Sequence, residues 1–237
     1  MTKLSVNVNK IALLRNSRGG NLPNVEQVAL DCERFGADGI TVHPRPDQRH
    51  ITNEDVFNLK NIVKGEFNVE GYPSDSFIQM MQEVKPDQCT LVPDPPDALT
   101  SSDGWDTIKY HDLLVQVISE LKSRGIRVSL FVNPVERFVE GAARVEADRI
   151  EFYTGPYAYD YNDNREKAIK EYVSTAIYCN KLGLGINAGH DLNLDNLKFF
   201  KHQIPDLLEV SIGHALVADS LYLGLENTIQ LYQRQLK

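Results

Sequence analysis

The sequence predicts an α/β protein, a closed barrel of eight strand–helix units with extra helical segments, and three observations carry that prediction. Short β-branched runs alternate strictly with amphipathic helical segments. Such alternation means a parallel sheet whose crossovers are helices. Eight of these runs can be counted, which favours a closed barrel over an open doubly wound sheet. The chain has 237 residues, near the roughly 250 at which one barrel closes.

The elements follow in order. A first strand is expected near residues 3–9. Asn24 then caps a helix with Val25, Val28, Ala29, Cys32 and Phe35 on one face. Gly36 and Gly39 lead into a second strand at 39–43. Thr52 caps the next helix, with Asp55 at its third position and Val56, Leu59, Ile62 and Val63 on its apolar side, the pattern of a capping box. Strands near 67–70 and 88–92 come next. Residues 93–106, rich in Pro, Asp and Ser, form the one long loop, readable as an active-site lid or as an ordinary surface loop. Gly125 and Gly183 each follow a helix and precede a β-branched run. Glycine tolerates the left-handed stop that ends a helix there. Strands are placed near 127–132, 148–153, 184–188 and 208–213, with a helical segment after each. No linker or low-complexity stretch divides the chain, so residues 1–237 read as a single TIM-barrel catalytic domain.

Composition narrows the function. The net charge is −8, which argues against nucleic acid or an anionic membrane as a partner, because both demand a basic surface. Small phosphorylated substrates stay compatible, since a few local Arg and His residues outweigh the global field. Cys32, Cys89 and Cys179 are far apart and sit among apolar residues; buried free thiols fit better than disulfides or zinc. No apolar leader and no run of 18 apolar residues is present, so a soluble, cytoplasmic protein is expected.

Active sites of such barrels lie at the carboxyl ends of the strands, and polar residues gather there. Asn7 and Asn9 are expected to end strand one, His43 strand two and Glu70 strand three. Glu151 and Thr154 lie on and after strand six, Asn187 and His190 after strand seven, and Gly213 with His214 closes strand eight. Any one of these has an ordinary explanation as a hydrogen-bonded loop or barrel residue. Three proton carriers on strands two, three and seven (His43, Glu70 and His190) form a stronger pattern, because they can meet over one substrate and share proton transfers.

A second group reads as phosphate binding. Residues 43–50 hold two His and two Arg, and Arg15 and Arg18 precede Gly19 and Gly20. Guanidinium forks match phosphate oxygens. Arg18, Arg45 and His50 are taken as anion contacts, whereas Arg15, Arg49 and His111 fit solvated or paired surface roles. Glycines after strands seven and eight can cradle phosphate on backbone N–H groups. His43, His50, His190 and His214 lack helical i,i+4 spacing, and no carboxylate cage accompanies them, so no metal site is expected. His202 reads as a surface residue.

These residues carry a family resemblance. Residues 6–12, 14–19, 36–43 and 49–52, with Leu91-Val92-Pro93, Val128-Ser129-Leu130-Phe131, Tyr153-Thr154-Gly155, Asn187-Ala188-Gly189-His190 and Ile212-Gly213-His214-Ala215, resemble the pyridoxine 5′-phosphate synthase family. The resemblance spans strand one to strand eight. It implies a barrel that assembles as a homo-oligomer, typically an octamer. It also implies condensation of 3-amino-2-oxopropyl phosphate with 1-deoxy-D-xylulose 5-phosphate, without metal or redox cofactor. Carried onto matching positions, it makes His43 and Glu70 general bases and His190 a general acid. Asn7, Arg18, Arg45, His50, Thr100, Gly213 and His214 become substrate and phosphate contacts. Asp191 stands where some relatives have Gly, and its backbone N–H can still serve. Asn9-Lys10 replaces the Asp-His of many relatives, which implies altered sugar-phosphate binding and retained activity. A phosphosugar lyase or isomerase on the same fold, or a non-catalytic binder of B6 precursors, are the rival readings.

Overall fold

A computed structural model of the chain describes residues 1–94 and 101–237. Eight parallel strands close in sequential order: β1 (Lys3–Asn7), β2 (Gly39–Val42), β3 (Glu66–Gly71), β4 (Gln88–Leu91), β5 (Arg127–Val132), β6 (Arg149–Tyr153), β7 (Gly185–Gly189) and β8 (Leu207–Ile212). The seam pairs β8 with β1 in the register Val210 to Leu4. Helices α1 (Asn9–Asn16) and α2 (Val25–Arg34) follow β1, and α3 (Asn53–Ile62), α4 (Asp75–Val84), α5 (His111–Ser123), α6 (Glu136–Arg144), α7 (Gly155–Leu182) and α8 (Leu197–Gln203) follow the next six strands in turn. After β8 come α9 (His214–Leu223) and α10 (Leu225–Gln235).

Each strand alternates. Leu4 and Val6, Ile40 and Val42, Phe67 and Val69, Val128 and Leu130, Ile150 and Phe152, and Val210 and Ile212 point outward into the fully buried layer beneath the helices. The residues between them face the barrel axis and are mostly polar. Ser5 Oγ lies 2.7 Å from Thr41 Oγ1, Asn68 donates to Thr41, and Thr90 donates to Asn68 at 3.1 Å. Inside a closed barrel such groups have no bulk water, so they hydrogen-bond one another.

The amino ends of the strands form a charged floor. Lys3, Glu66, Gln88, Arg127 and Arg149 each open a strand. Arg127 pairs with Glu66, and Arg149 lies 3.6 Å from Glu209 and 3.2 Å from its acceptor Asn187 Oδ1. Asn187 therefore lies inside the barrel, part-way along β7, and not in the loop after it. The first strand is likewise shorter than its β-branched pattern suggested. Val8 turns to φ −90, ψ 10 and its carbonyl accepts from Ile11 and Ala12, so Asn9 and Lys10 begin a helix. In the long loop, Trp105 is buried and its indole donates to the Leu91 carbonyl at 2.9 Å, which anchors the later part of the loop to β4.

The predicted caps form. Asn24 accepts from the Gln27 N–H, and Thr52 and Asp55 complete a capping box on α3. Asp55 also receives both guanidinium ends of Arg15, at 2.5 and 2.8 Å, and both side chains are nearly buried. This fork bolts α1 to α3, and Arg15 and Asn16 also donate to the carbonyl of His50. Burial alone would push the Asp55 carboxyl up, but hydrogen bonds from Arg15 and Thr52 and the charge of Arg15 bring it below the usual range.

Removing one partner of a buried pair leaves the other charge uncompensated. Asp55→Asn should therefore cost about 3–5 kcal/mol of stability at neutral pH. A depressed native pKa stabilises the fold above the unfolded value of about 3.9, and that contribution vanishes as pH falls through the lower native value. Denaturant unfolding of both proteins should show the gap narrowing in acid; a gap independent of pH would contradict the assignment.

Candidate active site

At the carboxyl ends of the strands a cavity of about 470 Å³ opens, lined by residues that include Asn7, Lys10, His43, Glu70, Glu151 and His190. Each is delivered by the local fold. Glu70 is the penultimate residue of β3 and shares the inward parity of Glu66 and Asn68. His43 is the first residue after β2, and its backbone N–H donates to Asn9 Oδ1 at 2.9 Å. Asn9 is in turn set by Asn7, whose Oδ1 accepts from the Asn9 N–H at 3.0 Å. The two asparagines thus tie the exit of β1 to the exit of β2.

His43 Nδ1 lies 3.7 Å from Glu70 Oε2, and both side chains are almost wholly shielded from solvent. The distance suits an ion pair, but the electrostatics do not favour one. Burial first, then the nearby charges of Arg45, His50 and Arg49, holds the His43 imidazolium well below its ordinary range. Burial, with Asp94 and Glu209 adding to it and Arg45 opposing it, pushes the Glu70 carboxyl up to about 8. Desolvation disfavours the charged form of each group, so near neutral pH the pair rests mainly as neutral imidazole beside a protonated carboxyl. The neutral imidazole keeps a nitrogen lone pair that can accept a proton, and a carboxyl that titrates near 8 exchanges one within the physiological range.

Glu151 on β6 also lines the cavity. It is buried, and burial followed by the charge of Glu70 raises its carboxyl well above the usual range. Gly189 on the neighbouring strand makes room for it, since a Cβ there would lie 2.2 Å from Glu151 Oε1. Arg149, Glu151 and Tyr153 share one parity of β6. The place of Glu151 at the rim was legible; the effect of the Glu70 charge on it was not.

The cationic wall is built by the segment after β2. Arg45 is buried, and its Nη2 donates to Asp94 at 2.8 Å, an oxygen that also accepts from the Ser101 hydroxyl. Neither Asp94 nor Ser101 stood out in the sequence, because nothing local marks a carboxylate that orients an arginine from 49 residues away. His50 Nδ1 accepts from the Ile51 N–H at 2.9 Å, which leaves Nε2 as the donor position. Burial and the charges of Arg45, Lys10 and Arg49 lower His50 to about 4, so near neutral pH it is a neutral donor.

At the end of β8, Gly213 caps α9 and His214 begins it, so the positive end of a helix faces the cavity. A Cβ on Gly213 would come within 3.1–3.2 Å of Asn7, a close approach that brings β8 and β1 together at the rim. His190 and Asp191 complete the lining from the loop after β7. Arg18 is exposed, between α1 and α2, and does not line the cavity. Thr100 lies outside the described residues. Arg15 pairs with Asp55, Arg49 with Asp47 at 2.8 Å, and His111 is an exposed neighbour of Asp112, in keeping with ordinary pairing. Among the described residues no three His, Cys, Asp or Glu side chains gather as a metal cage.

Comparison with known proteins identifies the family of the chain. Residues 4–237 match the family model described as pyridoxal phosphate biosynthesis protein PdxJ. A pyridoxine 5′-phosphate synthase of Cytophaga hutchinsonii is 61% identical over 237 residues, 100% of both chains. That of Flavobacterium johnsoniae is 56% identical, again over the whole of both chains. Solved structures agree in fold alone. Tryptophan synthase from M. tuberculosis has a TM-score of 0.64 at 11% identity, covering 100% of this chain and 94% of that one. Phosphoribosylanthranilate isomerase from Thermotoga maritima has a TM-score of 0.61 at 13% identity, covering 100% and 98%.

The raised Glu70 carboxyl has a stability signature. In the folded chain it keeps its proton up to about pH 8, whereas unfolded it would ionise near an ordinary value of about 4.3. The folded state therefore binds more protons between those limits, and stability falls as pH rises through them. Glu70→Gln removes this dependence, so the variant should gain thermal stability over the parent on going from pH 5 to pH 8. An equal difference at both pH values would contradict the burial effect.

Proposed function

The chain belongs to the pyridoxal phosphate biosynthesis protein PdxJ family, enzymes of vitamin B6 biosynthesis, and we propose that it forms pyridoxine 5′-phosphate from 3-amino-2-oxopropyl phosphate and 1-deoxy-D-xylulose 5-phosphate, releasing phosphate and water. The observation that carries this reading is the 3.7 Å approach of His43 to Glu70 inside one cavity that His190 also lines. Joining an amine to a ketone, eliminating phosphate and aromatising a ring require repeated proton movements on one bound molecule. Burial brings the Glu70 carboxyl up to about 8, a proton affinity near neutral that suits that work.

In this account His43 and Glu70 act as general bases, Glu70 in the ionised form it reaches by giving up its resting proton, and His190 as the general acid. The buried Glu151 carboxyl is a second reservoir beside Glu70. Two phosphates are bound on adjacent sides of the rim. Arg45, held by Asp94, and His50, a neutral donor, take one of them, with Lys10 adding charge nearby. Gly213 and His214 present the start of α9 to the other, and Asn7 lies between. Asp191 offers its backbone N–H. Arg18 is exposed in the isolated chain, and its assignment rests on the family resemblance alone.

The reading extends to the whole molecule: one catalytic barrel, acting in the cytoplasm on small phosphorylated substrates, assembled as a homo-octamer. Among the described residues no helix is long and apolar enough to cross a membrane. Helix α9 buries only Leu216, while Leu221 and Tyr222 are exposed, as are Leu13 and Leu14 on α1, which packs against it. Exposed apolar surface of that kind suits contact between copies.

Metal-stripped protein mixed with the two phosphates should release inorganic phosphate and form pyridoxine 5′-phosphate in equal amounts, and Glu70→Gln should bind both substrates without turning them over. Binding without product in the parent protein would leave the phosphate sites standing and remove the assigned chemistry.

A further inference from the structure

We infer that the Asp191 side chain is a positioning residue: it holds the His190 ring by Nδ1 and thereby makes Nε2 the atom through which His190 passes its proton. This goes beyond the backbone role given to Asp191 above. It also rests on the reading of His190 as a proton carrier.

The geometry is direct. His190 Nδ1 lies 2.8 Å from Asp191 Oδ2. A carboxylate only accepts hydrogen bonds, so Nδ1 must carry hydrogen for the contact to exist. The hydrogen bond from His190, opposed by partial burial, holds the Asp191 carboxyl below the usual range, so it is charged under working conditions. A carboxylate on one ring nitrogen fixes both the tautomer and the ring plane, which leaves the other nitrogen to exchange protons with a ligand.

The backbone is shaped for this contact. His190 has φ 85 and Asp191 φ 59, two successive left-handed residues with side chains, a conformation that sequence normally reserves for glycine. Neighbours hold it. The Thr154 hydroxyl donates to the carbonyls of Gly189 and His190. The buried Asn196 donates to the Asp191 carbonyl at 3.2 Å, and Tyr157 donates to the Asn196 carbonyl at 2.7 Å. The ring of Tyr153 meets the His190 ring edge-on, with centroids 5.1 Å apart. Fixed carbonyls on either side leave the Asp191 carboxylate beside the ring it must orient.

The titratable groups facing the pair come from three directions: Tyr153 on β6 with Asp103 beyond it, Asp191 on the loop itself, and His214 at the start of α9, whose charge also bears on Asp191. Of these, Asp191 places an oxygen at hydrogen-bond distance from His190 Nδ1. The Asp191 side chain is about half exposed, so solvent screens the pair and its removal should weaken turnover without abolishing it.

The test uses the full-length protein with ¹⁵N-labelled histidine, as the parent, Asp191→Asn and Asp191→Gly. Glycine and asparagine both accept the left-handed backbone, so neither variant is expected to lose its fold. In the parent, the His190 nitrogen spectrum should show hydrogen on Nδ1. In Asp191→Gly the neutral ring should move towards the Nε2–H tautomer. Its kcat should fall on the order of tenfold, as loss of a supporting hydrogen bond does, with Michaelis constants for both phosphates little changed. Added formate should restore the tautomer and part of the rate in Asp191→Gly. A His190 spectrum unchanged in both variants, or an unchanged kcat, overturns the inference, as does failure of formate to rescue. Should the parent make no pyridoxine 5′-phosphate, the functional reading falls, and the tautomer spectra still decide this one.

Discussion

Desolvation of a carboxyl at the end of a barrel strand is the constraint on which the rest of this molecule depends. Glu70 sits where the inward parity of β3 meets the rim, and burial pushes its carboxyl up to about 8. That state survives only if the surroundings do not neutralise it with a close cation. Arg45 is the obvious candidate, and it is instead engaged by Asp94 at 2.8 Å. His43 is kept neutral by the same burial and by the cations behind it. Two groups that would pair in water are thus held apart in charge while remaining 3.7 Å apart in space.

The polar interior of the barrel follows from the same requirement. Barrels are commonly filled by branched apolar residues; here Ser5, Thr41, Asn68 and Thr90 form a chain of hydrogen bonds beneath the cavity. The charged floor of Glu66, Arg127, Arg149 and Glu209 closes the other end. Cohesion comes from outside the barrel, where the outward residues of every strand are buried against the helices. The strands therefore divide by parity: the outward set is buried against the helices, and the inward set carries the polar network and the buried carboxyls. Such sites cost stability, and buried devices elsewhere, such as the Arg15–Asp55 fork between α1 and α3, offset it.

Much of this was legible in the chain. Strict alternation of strand and helix signals, with caps at Asn24 and Thr52, is local information, and the eight strands form close to their predicted places. His43, Glu70 and His190 line one cavity because the barrel has only one end at which strand-terminal polar residues can meet. What escaped notice was set by long-range packing. Val8 is β-branched, yet it turns because the Asn7 side chain captures the next-but-one N–H. Asn187 lies deep because β7 runs on to Gly189. Asp94 and Ser101 gain meaning only when folding brings them to Arg45. Glu151 was visible as a rim residue, but its coupling to Glu70 across the cavity has no signature in sequence. The left-handed pair His190 and Asp191 carries no glycine to announce it.

The central claim is that Glu70 is a protonated carboxyl at neutral pH, and difference infrared spectroscopy reads that directly. Spectra of the parent protein, taken from pH 6 to pH 9 with Glu70→Gln as the reference, should show a carboxylic-acid carbonyl band that disappears with a midpoint near 8 and is missing from the variant. A Glu70 signal already in the carboxylate form at pH 6 would contradict the account.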